Sequence, residues 1–125
     1  MNVFLTTTGR RSGKAREIPL YAWPDGDRLV VVGSKGGAAT DPAWAHNLRA
    51  DPMATVEIGR ELRSFRAVEV SGDECDRLWE LVCAAFPLYA TYQRRTERTI
   101  PLFALEPAEG CFGRGERIRP GRYQL

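Results

Sequence analysis

The dipeptide Asp25-Gly26, set between the apolar runs Ile18–Trp23 and Arg28–Ser34, most narrows what this chain can become. An Asp-Gly pair between β-branched and aromatic stretches signals a tight hairpin, because the two-residue turns that match strand twist need positive φ at their centre. Val3–Thr8 is another strand-like run, joined to Ile18–Trp23 by the glycine-punctuated loop TGRRSGKAR, so the first third reads as three strands. Met53–Ile58 and Leu62–Val70 repeat the hairpin pattern about Gly59-Arg60, and Ile100–Glu106 supplies a last strand.

Helical spacing is confined to short stretches. Asp41 is expected as an N-cap with Pro42 at the first helical position, in a helix reaching about Ala50 and stopped by Asp51-Pro52. Ser71 and Glu74 form a capping-box pattern, and Cys75, Leu78, Trp79, Val82 and Phe86 then make one apolar stripe. Pro87 ends that helix or opens a further turn, beyond which Tyr89 and Tyr92 lie three apart on one face. The order β-β-β-α-β-β-α-β, with consecutive hairpins and only two or three helices, predicts a mainly β (α+β) fold. Its antiparallel sheet should curl into a small barrel, not a doubly wound parallel sheet.

At 125 residues and 43% hydrophobic the chain supports one core. From Pro107 onward glycine, arginine and proline dominate without periodicity, so 1–107 is read as the domain and 108–125 as a solvated tail. No stretch approaches the ~20 apolar residues of a membrane span, and no signal peptide is visible. A cytoplasmic protein is expected, with peripheral membrane contact as the alternative. Cys75, Cys83 and Cys111 are odd in number with no C-x-x-C pair, and His46 is the single histidine. These counts argue against a disulfide framework, a His-based triad and a multi-histidine metal site.

The net charge of +2 is unevenly spread. Arg10, Arg11, Lys14 and Arg16 precede the first carboxylate, Glu17. Farther along, Ser34-Lys35-Gly36-Gly37 sits at a strand end, a few residues before the Asp41-Pro42 helix start. Glycines let backbone N–H groups approach a ligand, and lysine adds a full charge. Neither a P-loop nor a G-x-G-x-x-G fingerprint is present. If both loops lie at one end of the barrel, five cations converge on one polyanionic ligand. Charge-assisted hydrogen bonds are worth about 1.5–3 kcal/mol each, so three give a gross gain near the ~8 kcal/mol of micromolar binding. Trp44 and Tyr21 are the aromatic candidates for a flat apolar moiety on the same ligand.

The strings LTTTGRRSGKAREIPLY, GSKGGAATDPAWAHNL and FPLYATYQRRTERTIPLFALEP together resemble the deazaflavin-dependent nitroreductase family, the F420H2-dependent reductases of split β-barrel, FMN-binding-like fold. The resemblance runs from about Leu5 to Pro107. It implies that coenzyme F420, a deazaflavin carrying a phosphate and an oligoglutamate tail, occupies the barrel groove. Positions matching the phosphate and tail contacts are Arg10, Arg11, Lys14, Arg16 and Lys35, with backbone from Ser34 through Gly36 to Gly37. Pro19, Leu20, Tyr21, Ser34, Trp44 and Asn47 match positions around the ring, while Tyr89 and Tyr92 match the substrate-pocket walls. Phe86 stands where relatives often have tyrosine, which alters the substrate pocket. Relatives also usually carry a longer segment before the first strand, whereas here Met1–Phe4 precede Leu5.

The expected reaction is hydride transfer from reduced F420 to an electron-poor acceptor such as a quinone, enone or nitroaromatic, by a monomer or weak dimer. Tyr89 and Ser34, then Tyr21 and Tyr92, are the candidates to meet the charge that develops on the acceptor. One alternative keeps the fold and exchanges F420 for FMN. Another makes the basic loops a nucleic-acid surface, which calls for aromatics interleaved with cations on strands. The aromatics cluster instead near Trp44 and over 86–92, so nucleic acid is not the expected partner.

Overall fold

A computed structural model describes residues 1–108. Strands β1 (Asn2–Thr8), β2 (Ala15–Tyr21), β3 (Trp23–Asp25) and β4 (Arg28–Val32) come first, and helix α1 (Ala43–Ala50) follows. Then come β5 (Met53–Ile58), β6 (Glu61–Glu69), α2 (Gly72–Ala85), α3 (Leu88–Arg94) and β7 (Leu102–Pro107). They build one antiparallel sheet in the order β2-β1-β5-β6-β7-β4-β3.

The expected three opening strands are four. The run read as Ile18–Trp23 breaks at Ala22, so that Leu20 pairs with Val3 of β1 while Trp23 pairs with Val30 of β4. Ala22 is fully buried, and its N–H donates to the Met1 carbonyl at 2.8 Å. Because β2 and β3 occupy the two ends of the sheet order yet are continuous in the chain, this corner curls the sheet into a barrel. Gly26-Asp27 forms the two-residue β3–β4 turn, shifted one residue from Asp25-Gly26. The last strand likewise begins at Leu102, after Pro101, not at Ile100.

Two apolar layers explain the strand sequences. Leu29, Val31, Phe103 and Leu105 face a core with Val3, Leu5, Val56, Phe65 and the α1 residues Trp44 and Leu48. Val30, Leu102 and Ala104 face the opposite way, against Leu78 and Val82 of α2 and Tyr89 of α3. β4 and β7 are therefore covered on both faces, which is why they read as near-continuous apolar runs. In β1, by contrast, Val3, Leu5 and Thr7 are buried in alternation.

Both helix starts differ from expectation in their capping. Pro42, not Asp41, is the N-cap of α1, and it makes no side-chain cap. Asp41 instead accepts from Arg98 Nη1 at 2.7 Å and Arg49 Nη1 at 2.9 Å. Ser71 does occupy the α2 N-cap, but without a side-chain hydrogen bond. Glu74 is drawn away to Arg28 Nη2 at 2.6 Å, where Asp25, Arg28 and Arg77 tie the β3–β4 turn to α2. Pairing with a guanidinium puts charge on both partners, whereas a cap to a backbone N–H puts it on one. No helix among the described residues is long and apolar enough to cross a membrane. The proposed tail beyond Ala108, with Cys111, lies outside the described residues.

Candidate active site

The β1–β2 loop is a tight coil. Gly9 N–H donates to the Lys14 carbonyl and Gly13 N–H to the Gly9 carbonyl, both at 2.8 Å. Asn47 of α1, buried in the core, fastens this loop: its Nδ2 donates to Thr7 Oγ1 at 3.1 Å, and its Oδ1 accepts the Arg10 N–H at 3.0 Å. Ser12 Oγ accepts from the Lys14 N–H and from Arg16 Nη2. Arg10 and Arg11 are thus carried on a fixed coil, and Arg16 on the strand that follows it.

Facing it is the segment after β4. Ser34 is right-handed (φ −72°), and Lys35 follows in the left-handed region (φ 46°), the one non-glycine residue with positive φ among those described. Such a right-then-left pair turns successive N–H groups toward one side, forming an anion-binding nest. Among the described residues the N–H groups of Ser34, Lys35 and Gly36 have no protein acceptor. A non-glycine residue persists at positive φ when its surroundings impose it. Arg98 does so here: its Nη2 donates to the Ser34 carbonyl at 2.9 Å, its Nε to the Ala38 carbonyl at 2.8 Å and its Nη1 to Asp41. Gly37 completes the turn at φ 86°, where a Cβ would lie 2.9 Å from the Tyr92 carbonyl oxygen, so α3 packs directly on this loop.

These loops flank a trough with two compartments. The first, of about 560 Å³, is lined by Arg10, Arg11, Ser12, Arg16, Lys35 and Asn47 together with Thr7, Gly9 and one carboxylate, Glu17. The second, of about 340 Å³, is lined by Pro19, Leu20, Tyr21, Ser34 and Gly36 on one side and Phe86, Tyr89 and Tyr92 on the other. Ile18, Lys35, Pro42 and Trp44 belong to both, so the compartments adjoin. Trp44 stands at the junction, held edge-on against Phe103 with ring centroids 5.8 Å apart.

The second compartment is aromatic. Phe86 lies 4.8 Å from Tyr89, 6.3 Å from Tyr21 and 6.4 Å from Tyr92, centroid to centroid. Tyr21 is the exposed member, and Tyr89 is buried. Burial raises the Tyr89 phenol above its ordinary value, partly countered by the hydrogen bond its oxygen accepts from Trp23 Nε1 at 3.0 Å. Tyr89 therefore holds its proton at neutral pH.

Most residues named from sequence meet at this trough. Lys14 and Gly37 do not line it: Lys14 closes the coil through its backbone, and Gly37 supports α3. Asn47 lies at the charged compartment, with its amide engaged by protein. Sequence reasoning missed Arg98 and Trp23, whose roles depend on partners 64 and 66 residues away.

The family model for F420H(2)-dependent quinone reductase matches residues 1–107. The chain belongs to this family. The F420H(2)-dependent quinone reductase Rv1261c of Mycobacterium tuberculosis (strain H37Rv) is 36% identical over 107 residues, 83% of this chain and 72% of that protein. A second protein of that strain, Rv3178, bears the same family name and is 37% identical over 105 residues, 84% of this chain and 88% of that one. Among solved structures, the F420-H2 dependent reductase FDR-A superposes with a TM-score of 0.77 at 39% identity, covering 84% of this chain and 93% of that one. HutZ, the heme storage protein of Vibrio cholerae, shares the fold at 14% identity and a TM-score of 0.61, over 85% of this chain and 80% of its own. The curled antiparallel sheet is thus the split β-barrel expected from the sequence, and the family is one of oxidoreductases.

Proposed function

We propose that the protein binds coenzyme F420 along the trough and reduces a quinone-class acceptor in the aromatic compartment. The observation that carries this reading is the adjacency of a cationic compartment and an aromatic one across Lys35, Pro42 and Trp44. The residues fit the cofactor. The nest over Ser34–Gly36, with Lys35 beside it, offers donors to a phosphate, and Arg10, Arg11 and Arg16 offer charge to a carboxylate-bearing tail. The flat apolar ring fits the stretch from Trp44 to Pro19 and Leu20. When bound, reduced F420 supplies a low-potential hydride.

The chain's own residues then have three tasks. The cations and the nest fix the anionic part of the cofactor, and Trp44, anchored by Phe103, sets the level at which a ring can lie. Phe86, Tyr21 and Tyr92 form an apolar wall that excludes water from the acceptor. Tyr89 and Ser34 present hydroxyl donors to the acceptor oxygen, on which negative charge develops as hydride arrives, with Tyr21 and Tyr92 at the rim.

Titration with oxidised F420 and separately with FMN, followed by ring fluorescence, tests the cofactor. Micromolar or tighter binding of F420 with markedly weaker binding of FMN is expected, and the reverse preference overturns the reading. Consumption of reduced F420 on adding a soluble naphthoquinone then tests the reaction. Tyr89→Phe should lower kcat roughly tenfold to a hundredfold while F420 affinity stays within about twofold.

A further inference from the structure

We infer that Trp23 is a positioning residue for this reaction, using its indole N–H to aim the Tyr89 hydroxyl proton into the trough. The inference rests on the reading above, in which Tyr89 meets the acceptor. Trp23 lines neither compartment. It stands on β3, immediately after the Ala22 corner, and reaches across to α3, where its Nε1 lies 3.0 Å from Tyr89 Oη.

The chemistry of the pair leaves one arrangement. An indole nitrogen only donates, so the tyrosine oxygen must be the acceptor and its own hydrogen must point elsewhere. The Tyr89 ring packs against Phe86 at 4.8 Å, Trp23 at 6.4 Å and Tyr92 at 6.5 Å between centroids, which holds it in place. Among the described residues the Tyr89 hydroxyl has no protein acceptor. Because Tyr89 lines the aromatic compartment, its donor direction is the trough. Without the indole the hydroxyl is free to rotate, and it loses a donor that stabilises charge on its oxygen. The other titratable groups around Tyr89 are Tyr92 on its own helix, Cys83 on α2 and Tyr21 on β2, none of them a carboxylate or a base.

Trp23→Phe keeps an aromatic ring and removes the N–H. Turnover of reduced F420 with a naphthoquinone should fall roughly tenfold in kcat, with KM and F420 affinity within about twofold. The same change on a Tyr89→Phe background should cost nothing further, because the two residues act as one unit. Trp23→His, which returns a ring N–H, should recover part of the loss. A readout free of cofactor is the ultraviolet pH titration of the phenol, taken as the difference between protein with Tyr89 and with Tyr89→Phe. Trp23→Phe should move that ionisation to higher pH. An unmoved titration, or a loss that adds fully to that of Tyr89→Phe, overturns the inference. Wild-type turnover tests the underlying function separately: an inactive wild type overturns that function and this positioning role with it, whereas an active wild type with an unmoved titration overturns this inference alone.

Discussion

Two sets of arginines in this molecule behave oppositely. Outside the trough lining, Arg28, Arg49, Arg77 and Arg98 each have a carboxylate within 3.0 Å. In the trough Arg10, Arg11, Arg16 and Lys35 have none among the described residues. The first group ties turns to helices and closes the fold. The second gathers four cations on one concave surface that carries a single carboxylate, Glu17, so an excess of positive charge is left for an anion to relieve. In these two sets, the arginines that tie elements together are the ones with a carboxylate in reach.

The sharpest test removes the unpaired group. Lys35→Ala with Arg16→Ala should weaken F420 binding roughly 100-fold, about 2.7 kcal/mol, with Tm nearly unchanged, as read by fluorescence titration and calorimetry. Retained affinity breaks the comparison. Next is Arg98→Ala, which frees the Ser34 and Ala38 carbonyls and strips Asp41 of one partner. It should cost roughly 2 kcal/mol of stability and also weaken F420, because the nest geometry relaxes. Arg98→Lys should not rescue either effect, since a single ammonium cannot span three acceptors. Gly37→Ala should cost roughly 1–2 kcal/mol in denaturant unfolding, from its positive φ and the Tyr92 carbonyl 2.9 Å from the added Cβ.

The smallest effect concerns the paired group and has a defined pH window. Hydrogen bonds from Arg77 and Arg28 lower the Asp25 carboxyl from its ordinary 3.8 to about 2. A folded-state value below the unfolded one means that Asp25 contributes stability at and above about pH 4, and that the contribution fades as pH falls toward about 2. Asp25→Asn should therefore destabilise by about 1 kcal/mol at neutral pH and by progressively less in acid, as measured by urea unfolding across that range. A constant difference across the range removes the pairing from the stability argument.

Much of the fold was legible because local rules were strong. Alternation in Val3–Thr8, the glycine turns and the Leu78–Val82 stripe all specify elements without distant partners. The site was legible where charge clustered in sequence, as over Arg10–Arg16. The strand break at Ala22 was not, since nothing local distinguishes a straight strand from one that changes partners. The capping expectations failed for a related reason: Asp41 and Glu74 are good caps in isolation, but arginines from other elements take their carboxylates.

By itself, then, the sequence determined a β-rich curled sheet, a cationic first loop, a glycine-flanked lysine and a pair of tyrosines one turn apart. Only the tertiary structure decided that the two basic loops face one trough, that Arg98 holds Lys35 in its left-handed turn and that Trp23 meets Tyr89. Turns and amphipathic stripes are fixed by neighbours a few residues away. Hydrogen bonds between residues more than 60 positions apart exist only once the barrel has closed.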